Sequence, residues 1–330
     1  MTLPRQVVED STYLLTRRCL ERRFFLTPKK NNVAKETYLY CLALAARDNG
    51  VEIHAFVAVS NHHHAVVTDF LAKVPTFAKQ LHTNVARAMN KELKRGGPFW
   101  DSTVSYSAVL LADREAVLDK IVYTIMNPVA ARLVERPEEW PGAISLLQQI
   151  ASGEEIVVQR PEFFRAKKDA RRDANAKTAR DKARLRKPEK GLLPDEVRFR
   201  LAVPPQFKDM GRKAYAKLLG ERLLERYDEL CLARRSAKLA YERKVLGAKA
   251  VQRQHWSDSP KPETPEGELN PRLACKDKWK RIERKQAKAE FWQRHQECYV
   301  DYFKKRKRKT RFPIGTYAAV RMWGARLVRF

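Results

Sequence analysis

Hydrophobic and polar positions follow two different periods in the first 150 residues. Some short stretches alternate or are rich in β-branched residues, as in strands, and others repeat apolar residues every three to four positions, as in helices. The predicted elements are a strand at 12–19, a helix at 34–47, strands at 51–59 and 62–68, a helix at 75–93, a strand at 103–111 and a helix at about 113–127. This β-α-β-β-α-β order with one added helix predicts an α+β, ferredoxin-like (split β-α-β) fold. Many functions use that fold, so the function has to be argued from the site.

The pattern changes after residue 150. Residues 1–150 carry a net charge of +4 and the remaining 180 residues carry +24 of the total of +28. Apolar residues recur at helical spacing within 207–246, and a basic helix is expected from Asp277 to about Arg306. We therefore predict a globular domain at 1–150, a basic linker at 151–205 and a basic, mainly α-helical C-terminal extension at 206–330.

Composition narrows the functional class. An isoelectric point near 10.1 favours a polyanionic partner, most often a nucleic acid. The longest apolar run, 38–46, is far shorter than the ~20 residues that span a bilayer. No secretory signal pattern opens the chain, and the five cysteines never form a CxxC pair. We expect a cytoplasmic protein with no membrane partner, whose cysteines neither bind zinc nor form a disulfide framework.

The most unusual string is Ser60-Asn61-His62-His63-His64 at the start of a predicted strand. Side chains at i and i+2 share a strand face, so His62 and His64 project together and His63 projects oppositely. Two adjacent imidazoles can chelate one divalent cation. The alternative is a surface histidine cluster with incidental metal affinity.

A second string, Tyr123-Thr124-Ile125-Met126-Asn127-Pro128, lies at the end of a predicted helix. Tyr123 and Asn127 are four residues apart and share a helix face. If a metal lies in front of them, Asn127 is a possible third ligand, and Tyr123 could attack a phosphodiester to form a phosphotyrosine. The alternative is a helix-terminal tyrosine that packs on the sheet.

These strings resemble one family in order and spacing over about residues 5–150. SNHHHAVV resembles the His–hydrophobic–His motif of single-tyrosine HUH transposases, and YTIMNPVAARLVERPEEWPGAIS resembles a stretch of REP-associated tyrosine transposases. TYLLTRRCLERRFFL is similar to that family's opening strand, and RGGPFWDSTVSYS to the segment that leads into its fourth strand. The chain departs from the family pattern at three positions. It has His63 where the family has an aliphatic residue, Ser60 where the family has proline, and Trp140 where the family often has tyrosine.

The resemblance implies a metal-dependent endonuclease and ligase acting on single-stranded DNA near a hairpin, with Mg or Mn as the cofactor. His62, His64 and Asn127 would be metal ligands, and Tyr123 the nucleophile that forms a 5′-phosphotyrosine. Because of His63, one imidazole is expected to face the packed side of the sheet. The resemblance also implies a bacterial, nucleoid-associated protein and a possible homodimer. A domesticated nucleic-acid-binding protein that does not cleave, and a basic RNA-associated protein, are the alternatives.

Basic and aromatic residues near the first strand and the second helix are candidates for DNA contacts, because Arg and Lys meet phosphates and aromatic rings stack on bases. A solvated basic helix face is the ordinary alternative. The predicted DNA-binding residues are Arg17, Arg18, Arg22, Arg23, Lys91, Arg95 and Trp100.

Overall fold

A computed structural model describes residues 4–103, 105–164, 193–237, 244–260 and 272–328. The helices are α1 Val33–Asn49, α2 Val74–Glu92, α3 Arg114–Ala130, α4 Leu147–Ser152, α5 Gly211–Ser236, α6 Ala248–Arg253, α7 Lys278–Tyr299 and α8 Tyr317–Trp323. The strands are β1 Ser11–Arg18, β2 Val51–Val59, β3 His62–Asp69, β4 Ser107–Leu111, β5 Ile156–Gln159, β6 Glu196–Phe199, β7 Leu273–Ala274, β8 Arg311–Phe312 and β9 Arg326–Leu327. Among these helices, none combines the length and the apolar character needed to cross a bilayer.

The central sheet has the strand order β2-β3-β1-β4-β7. β3 pairs antiparallel with both β1 and β2, and β4 pairs antiparallel with β1. The short β7 adds to the outer edge of β4 in parallel. β1 and β2 are thus connected through α1 with β3 inserted between them, and the molecule is a mixed α+β fold with a mostly antiparallel sheet.

Helices cover both faces of this sheet, which is why β2 and β3 are buried along nearly their whole length. Tyr38 of α1 and His82 of α2 both contact His63, so α1 and α2 lie on the face to which His63 points. α3 packs against β2 and β3, and its Tyr123 contacts His64. Because His63 and His64 point to opposite faces, α3 covers the other side of the sheet.

Local sequence signals account for several helix ends. α1 stops where Gly50 adopts a left-handed conformation with φ of 64°, which glycine accommodates without a Cβ clash. α3 begins at Asp113, whose carboxylate accepts a hydrogen bond of 2.7 Å from the Ala116 amide. α3 continues past the predicted end at Asn127 to Ala130, because Pro128 lies in its last turn and the Ala131 amide still reaches the Asn127 carbonyl at 3.0 Å.

The fourth strand is shorter than predicted. β4 begins at Ser107 rather than near Thr103. The Asp101 carboxylate accepts hydrogen bonds from the Thr103 amide at 2.9 Å and from its hydroxyl at 2.6 Å. This local turn competes with strand pairing and explains the late start.

The described ends of segment 151–205, which is predicted as a linker, are folded onto the domain. β5 and β6 pair antiparallel and pack on α1, where Tyr40, Leu44, Val158 and Val197 form a small core. Residues 165–192 lie outside the described residues.

The extension packs against the first 150 residues. α5 contacts α3 and α4, and β7 joins the sheet. α7 ends at Tyr299 and passes into a π-helical turn over Val300–Lys304, in place of one helix to Arg306. The C-terminal part of the extension has a separate small hydrophobic core, which consists of Tyr302, Phe312, Ala319 and Ala325. Residues 238–243 and most of the proline-containing segment, 261–271, lie outside the described residues.

Candidate active site

Two of the three consecutive histidines lie side by side at the start of β3. Strand alternation places His62 and His64 on one face, and the ring centroids are 4.8 Å apart at an interplanar angle of 81°. On the neighbouring strand, Arg18 is the register partner of His62 and Thr16 is the partner of His64. The sequence-based expectation that these two imidazoles project together agrees with this geometry.

Tyr123 reaches the same place from α3. Its hydroxyl oxygen lies 3.5 Å from Nε2 of His64, and the two ring centroids are 5.1 Å apart. The side chain is 41% exposed, so the phenol is accessible from solvent as well as from the histidines. His62, His64 and Tyr123 therefore form one cluster, although the chain places Tyr123 on a different element 59 positions after His64.

Hydrogen bonds to the Nδ1 atoms orient both imidazoles. His62 Nδ1 lies 2.7 Å from Oδ1 of Asn61, an oxygen that can only accept, so His62 Nδ1 carries the proton and its Nε2 keeps a lone pair. His64 Nδ1 lies 2.7 Å from the Thr16 hydroxyl, which leaves its Nε2 facing Tyr123. A hydrogen bond at one ring nitrogen is the usual way in which proteins orient a metal-binding histidine.

The surroundings keep both rings neutral. Burial and then the charges of Arg18 and Arg22 lower the pKa of His62 to about 4. Burial, followed by the neighbouring His62 and His63, holds the pKa of His64 well below its ordinary value. Neutral imidazoles at physiological pH have lone pairs that are free to bind a cation without first losing a proton.

Asn127 supplies an unsatisfied oxygen near the end of α3. The side chain is buried one turn after Tyr123, and its Oδ1 has no hydrogen-bond partner in the described part of the chain. No group of three or more His, Cys, Asp or Glu residues suited to a metal occurs among the described residues. A metal held here would use His62 and His64 with an amide oxygen, a nitrogen and oxygen donor set that fits a divalent ion such as Mn. The types of donor atom therefore fit the divalent cation that the sequence implies.

His63 belongs to a separate network on the opposite face of the sheet. Its Nδ1 lies 3.1 Å from the Tyr38 hydroxyl, and its Nε2 lies 2.8 Å from Nε2 of His82. Arg17 can only donate, so its contact of 3.2 Å makes Nδ1 of His82 an acceptor. His82 then donates to His63 through Nε2, and His63 donates to Tyr38.

This chain of bonds makes His63 a buried structural residue. Burial, followed by the charges of His62 and Arg17, lowers the pKa of His63 to about 3, so the ring stays neutral. The imidazole at the middle of the histidine string faces the packed side of the sheet, as the sequence indicates, and points away from the His62 and His64 pair.

The predicted DNA-binding residues do not share one surface. Arg18 is exposed on the His62 face, and the charges of both Arg18 and Arg22 act on His62. Arg17 points to the other face, where it contacts His82. Arg23 forms an ion pair of 2.9 Å with Glu21.

The remaining three candidates lie around α2 and the following loop. The Arg95 guanidinium stacks 4.0 Å over the ring of Phe25, and Lys91 lies 5.3 Å from the ring of Phe163. Trp100 is a correction to the prediction of a base-stacking residue. Its ring is 6% exposed, and its indole nitrogen donates to the His82 carbonyl at 2.8 Å, because the loop folds back onto α2.

Two residues of the site, Thr16 and Lys120, were not predicted from the sequence. Thr16 contacts His64 across two strands, and only the pairing register reveals this. Lys120 lies three residues before Tyr123 on α3, with its Nζ 5.3 Å from the tyrosine ring centroid. Residues three positions apart lie on the same face of a helix, and this spacing could have identified Lys120 as a neighbour of Tyr123.

Comparisons with known proteins give a limited result. No family model and no curated protein matches this chain. Among solved structures, the chain is similar to a REP-associated tyrosine transposase bound to a REP hairpin, with 16% identity and a TM-score of 0.39 over 46% of this chain and 87% of the other. It is also similar to a structure provisionally described as a transposase from Deinococcus radiodurans R1, with 23% identity and a TM-score of 0.26 over 33% of this chain and 85% of the other.

Proposed function

We propose that this protein is a transposase-like endonuclease and ligase that cleaves and rejoins single-stranded DNA through a 5′-phosphotyrosine. In this proposal residues 1–150 form a ferredoxin-like HUH domain of the kind found in REP-associated tyrosine transposases. The observed strand order and antiparallel pairing of β1 to β4 support that assignment. The substrate is DNA near a hairpin, and the protein acts in the bacterial cytoplasm at the nucleoid.

The observation that carries the proposal is the distance of 3.5 Å between the Tyr123 hydroxyl and Nε2 of His64. A phenol on a helix and two neutral imidazoles on a strand converge at an accessible position. A tyrosine that served only to pack on the sheet would not need a hydroxyl beside two oriented histidines. All three side chains come from one chain, and a second subunit is not needed to bring them together.

Each residue has a defined part in the proposed reaction. The Tyr123 oxygen attacks the phosphorus atom and loses its proton to solvent, and the new O–P bond replaces the bond between phosphorus and the 3′ oxygen. The 3′ oxygen leaves, takes up a proton and becomes a free 3′-hydroxyl. The Lys120 ammonium lies 5.3 Å from the centroid of the Tyr123 ring, where it would interact favourably with a negatively charged phosphate bound beside the tyrosine. In the rejoining step a 3′-hydroxyl attacks the phosphotyrosine and releases Tyr123.

His62, His64 and Asn127 would hold one Mg or Mn ion. When bound, such an ion neutralises charge on the scissile phosphate and orients it for in-line attack. Thr16 and Asn61 contact the Nδ1 atoms of the two imidazoles, and this arrangement would leave their Nε2 atoms for binding the ion. Arg18, exposed beside His62, is positioned to meet a neighbouring phosphate.

A covalent adduct tests this function directly. The full chain is incubated with single-stranded hairpin DNA and Mn or Mg, and the mixture is resolved under denaturing conditions. We expect an adduct that Tyr123→Phe abolishes and that Tyr299→Phe, a control on α7, leaves unchanged. An adduct that persists in Tyr123→Phe overturns the nucleophile assignment. Tight, salt-sensitive binding without any adduct favours the alternative, a domesticated binding protein that does not cleave.

A further inference from the structure

A basic cleft separates the C-terminal extension from the sheet domain. The cleft has a volume of about 370 Å³ and lies between α7, the N-terminal segment and the strands β1 and β4. Five cationic side chains line it, and Asp10 is the one acidic side chain among its lining residues. The five are Arg5, Arg272, Lys280, Arg284 and Lys288.

The cleft is part of a docked interface. The Asp113 carboxylate accepts from the amide of Asp277 at 2.9 Å and from that of Lys276, which holds the start of α7 against the sheet domain. Trp292, further along α7, donates to the Pro4 carbonyl at 3.1 Å. Both walls of the cleft are therefore held in place.

The spacing of the cations on α7 presents them together. Lys280, Arg284 and Lys288 are four residues apart, so they form one row along the helix, and all three line the cleft. Like charges at this spacing repel one another. In the described part of the chain no ion pair with an acidic side chain relieves this repulsion at Arg284 or Lys288.

The surroundings of Lys288 disfavour its charged form. Burial and then the charge of Arg272 lower the pKa of Lys288 to about 8. Its Nζ lies 5.1 Å from the ring of Trp292, which is a weak partner for a cation. A bound anion would relieve the desolvation and repulsion that destabilise the charged amine.

We propose that this cleft is a phosphate-binding site that takes two or more phosphate groups. The site is independent of the chemistry at Tyr123. Its volume exceeds what a single phosphate needs, and its guanidinium and ammonium groups are the usual partners of phosphate oxygens. The phosphates come from a nucleic-acid backbone or from a free polyphosphate.

The test compares two pairs of substitutions on the same helix. Arg284→Gln with Lys288→Gln removes two charges from the cleft, and Arg281→Gln with Lys285→Gln removes two charges from exposed positions of α7 outside it. Affinity for a labelled single-stranded oligonucleotide is measured by anisotropy at several salt concentrations. EDTA and the Tyr123→Phe background exclude cleavage, so a failure of the proposed nuclease function does not affect the result. Circular dichroism checks that the variants fold.

If the cleft contacts the nucleic-acid backbone, the cleft variant loses roughly 1.4 from the slope of log affinity against log salt, and roughly 25-fold in affinity at about 0.1 M salt. The control pair changes the affinity much less. If the source is a free polyphosphate, tripolyphosphate raises the melting temperature of the parent and of the control but not of the cleft variant, while DNA affinity is equal in the two variants. Equal behaviour of both variants toward DNA and tripolyphosphate overturns the proposal.

Discussion

Nε2 of His64 and the hydroxyl of Tyr123 lie 3.5 Å apart, with the rings nearly perpendicular at 73°. This contact joins the start of a central strand to the last turns of a helix on one face of the sheet. It gives the chain a phenol beside paired neutral imidazoles, and the proposed covalent chemistry depends on it.

His62→Ala is expected to abolish metal-dependent adduct formation and to preserve most DNA binding. The substitution removes one of two proposed nitrogen ligands and leaves Arg18 and Arg22 in place. Adduct yield on denaturing gels and DNA affinity in EDTA are the two measurements. Retained adduct formation at all Mn concentrations would exclude His62 as a ligand.

Thr16→Val is expected to weaken metal binding without removing a ligand. The hydroxyl that contacts His64 Nδ1 at 2.7 Å is lost, so the ring is less well oriented. Loss of such a supporting bond typically weakens metal affinity ~10–100-fold. The Mn concentration at half-maximal adduct formation should rise accordingly. Ser11→Ala, at the other end of β1, is the control, and an unchanged Mn requirement in Thr16→Val would contradict the prediction.

His63→Leu is expected to affect stability and not chemistry. The substitution leaves the Tyr38 hydroxyl and Nε2 of His82 without their buried partner. We expect a loss of about 2–4 kcal/mol in the free energy of unfolding, measured by urea denaturation. Adduct formation by the folded variant at low temperature should stay close to that of the parent. A folded variant that forms no adduct would show that His63 acts on the active site.

Stability should fall as the pH is lowered below about 6.5, in part because of His54. Burial lowers the pKa of His54 to about 4, and the ring bonds to the Ala202 carbonyl at 2.8 Å and the Thr68 hydroxyl at 2.7 Å. The unfolded chain takes up a proton at His54 below its ordinary pKa, and the folded chain resists this until about pH 4. The stabilising contribution is therefore complete above the unfolded value and is lost as the pH falls, by about 2 kcal/mol at about pH 5.

Urea denaturation at two pH values measures this effect. The stability difference between pH 7.5 and 5 should be smaller by about 2 kcal/mol in His54→Gln than in the parent chain. His255→Gln, at an exposed position, is the control. An unchanged pH dependence in His54→Gln would show that His54 does not contribute.

Local sequence information was sufficient for the order of elements in the first 150 residues, but it did not predict the short strands that follow them. Gly50 and Asp113 mark helix ends through backbone conformation and capping, which are properties of a few adjacent residues. Two predicted element boundaries differ from those in the structure for local reasons. The hydrogen bonds of Asp101 shift the start of β4 to a later residue, and α3 extends further than predicted because it accommodates Pro128 in its last turn.

The hydrophobic pattern along the chain did not predict which distant segments contact each other. The sequence predicts that the Trp100 ring stacks on DNA bases, but the loop that carries Trp100 folds onto α2 and buries the ring. Arg17 and Arg18 are adjacent in sequence, and they face opposite sides of the sheet because strand side chains alternate. The cleft of Arg5 and Lys288 joins the two ends of the chain, which no local pattern relates.

From the sequence alone it follows that His62 and His64 share a strand face and that Tyr123 and Asn127 share a helix face, because these relations depend only on the periods of the two backbones. Which side of the sheet α3 covers was decided by tertiary structure. The packing of α1 and α2 around His63 left the face of His62 and His64 to α3, and with it to Tyr123. The choice of face depends on the burial of the whole apolar surface, which is a property of all the elements together.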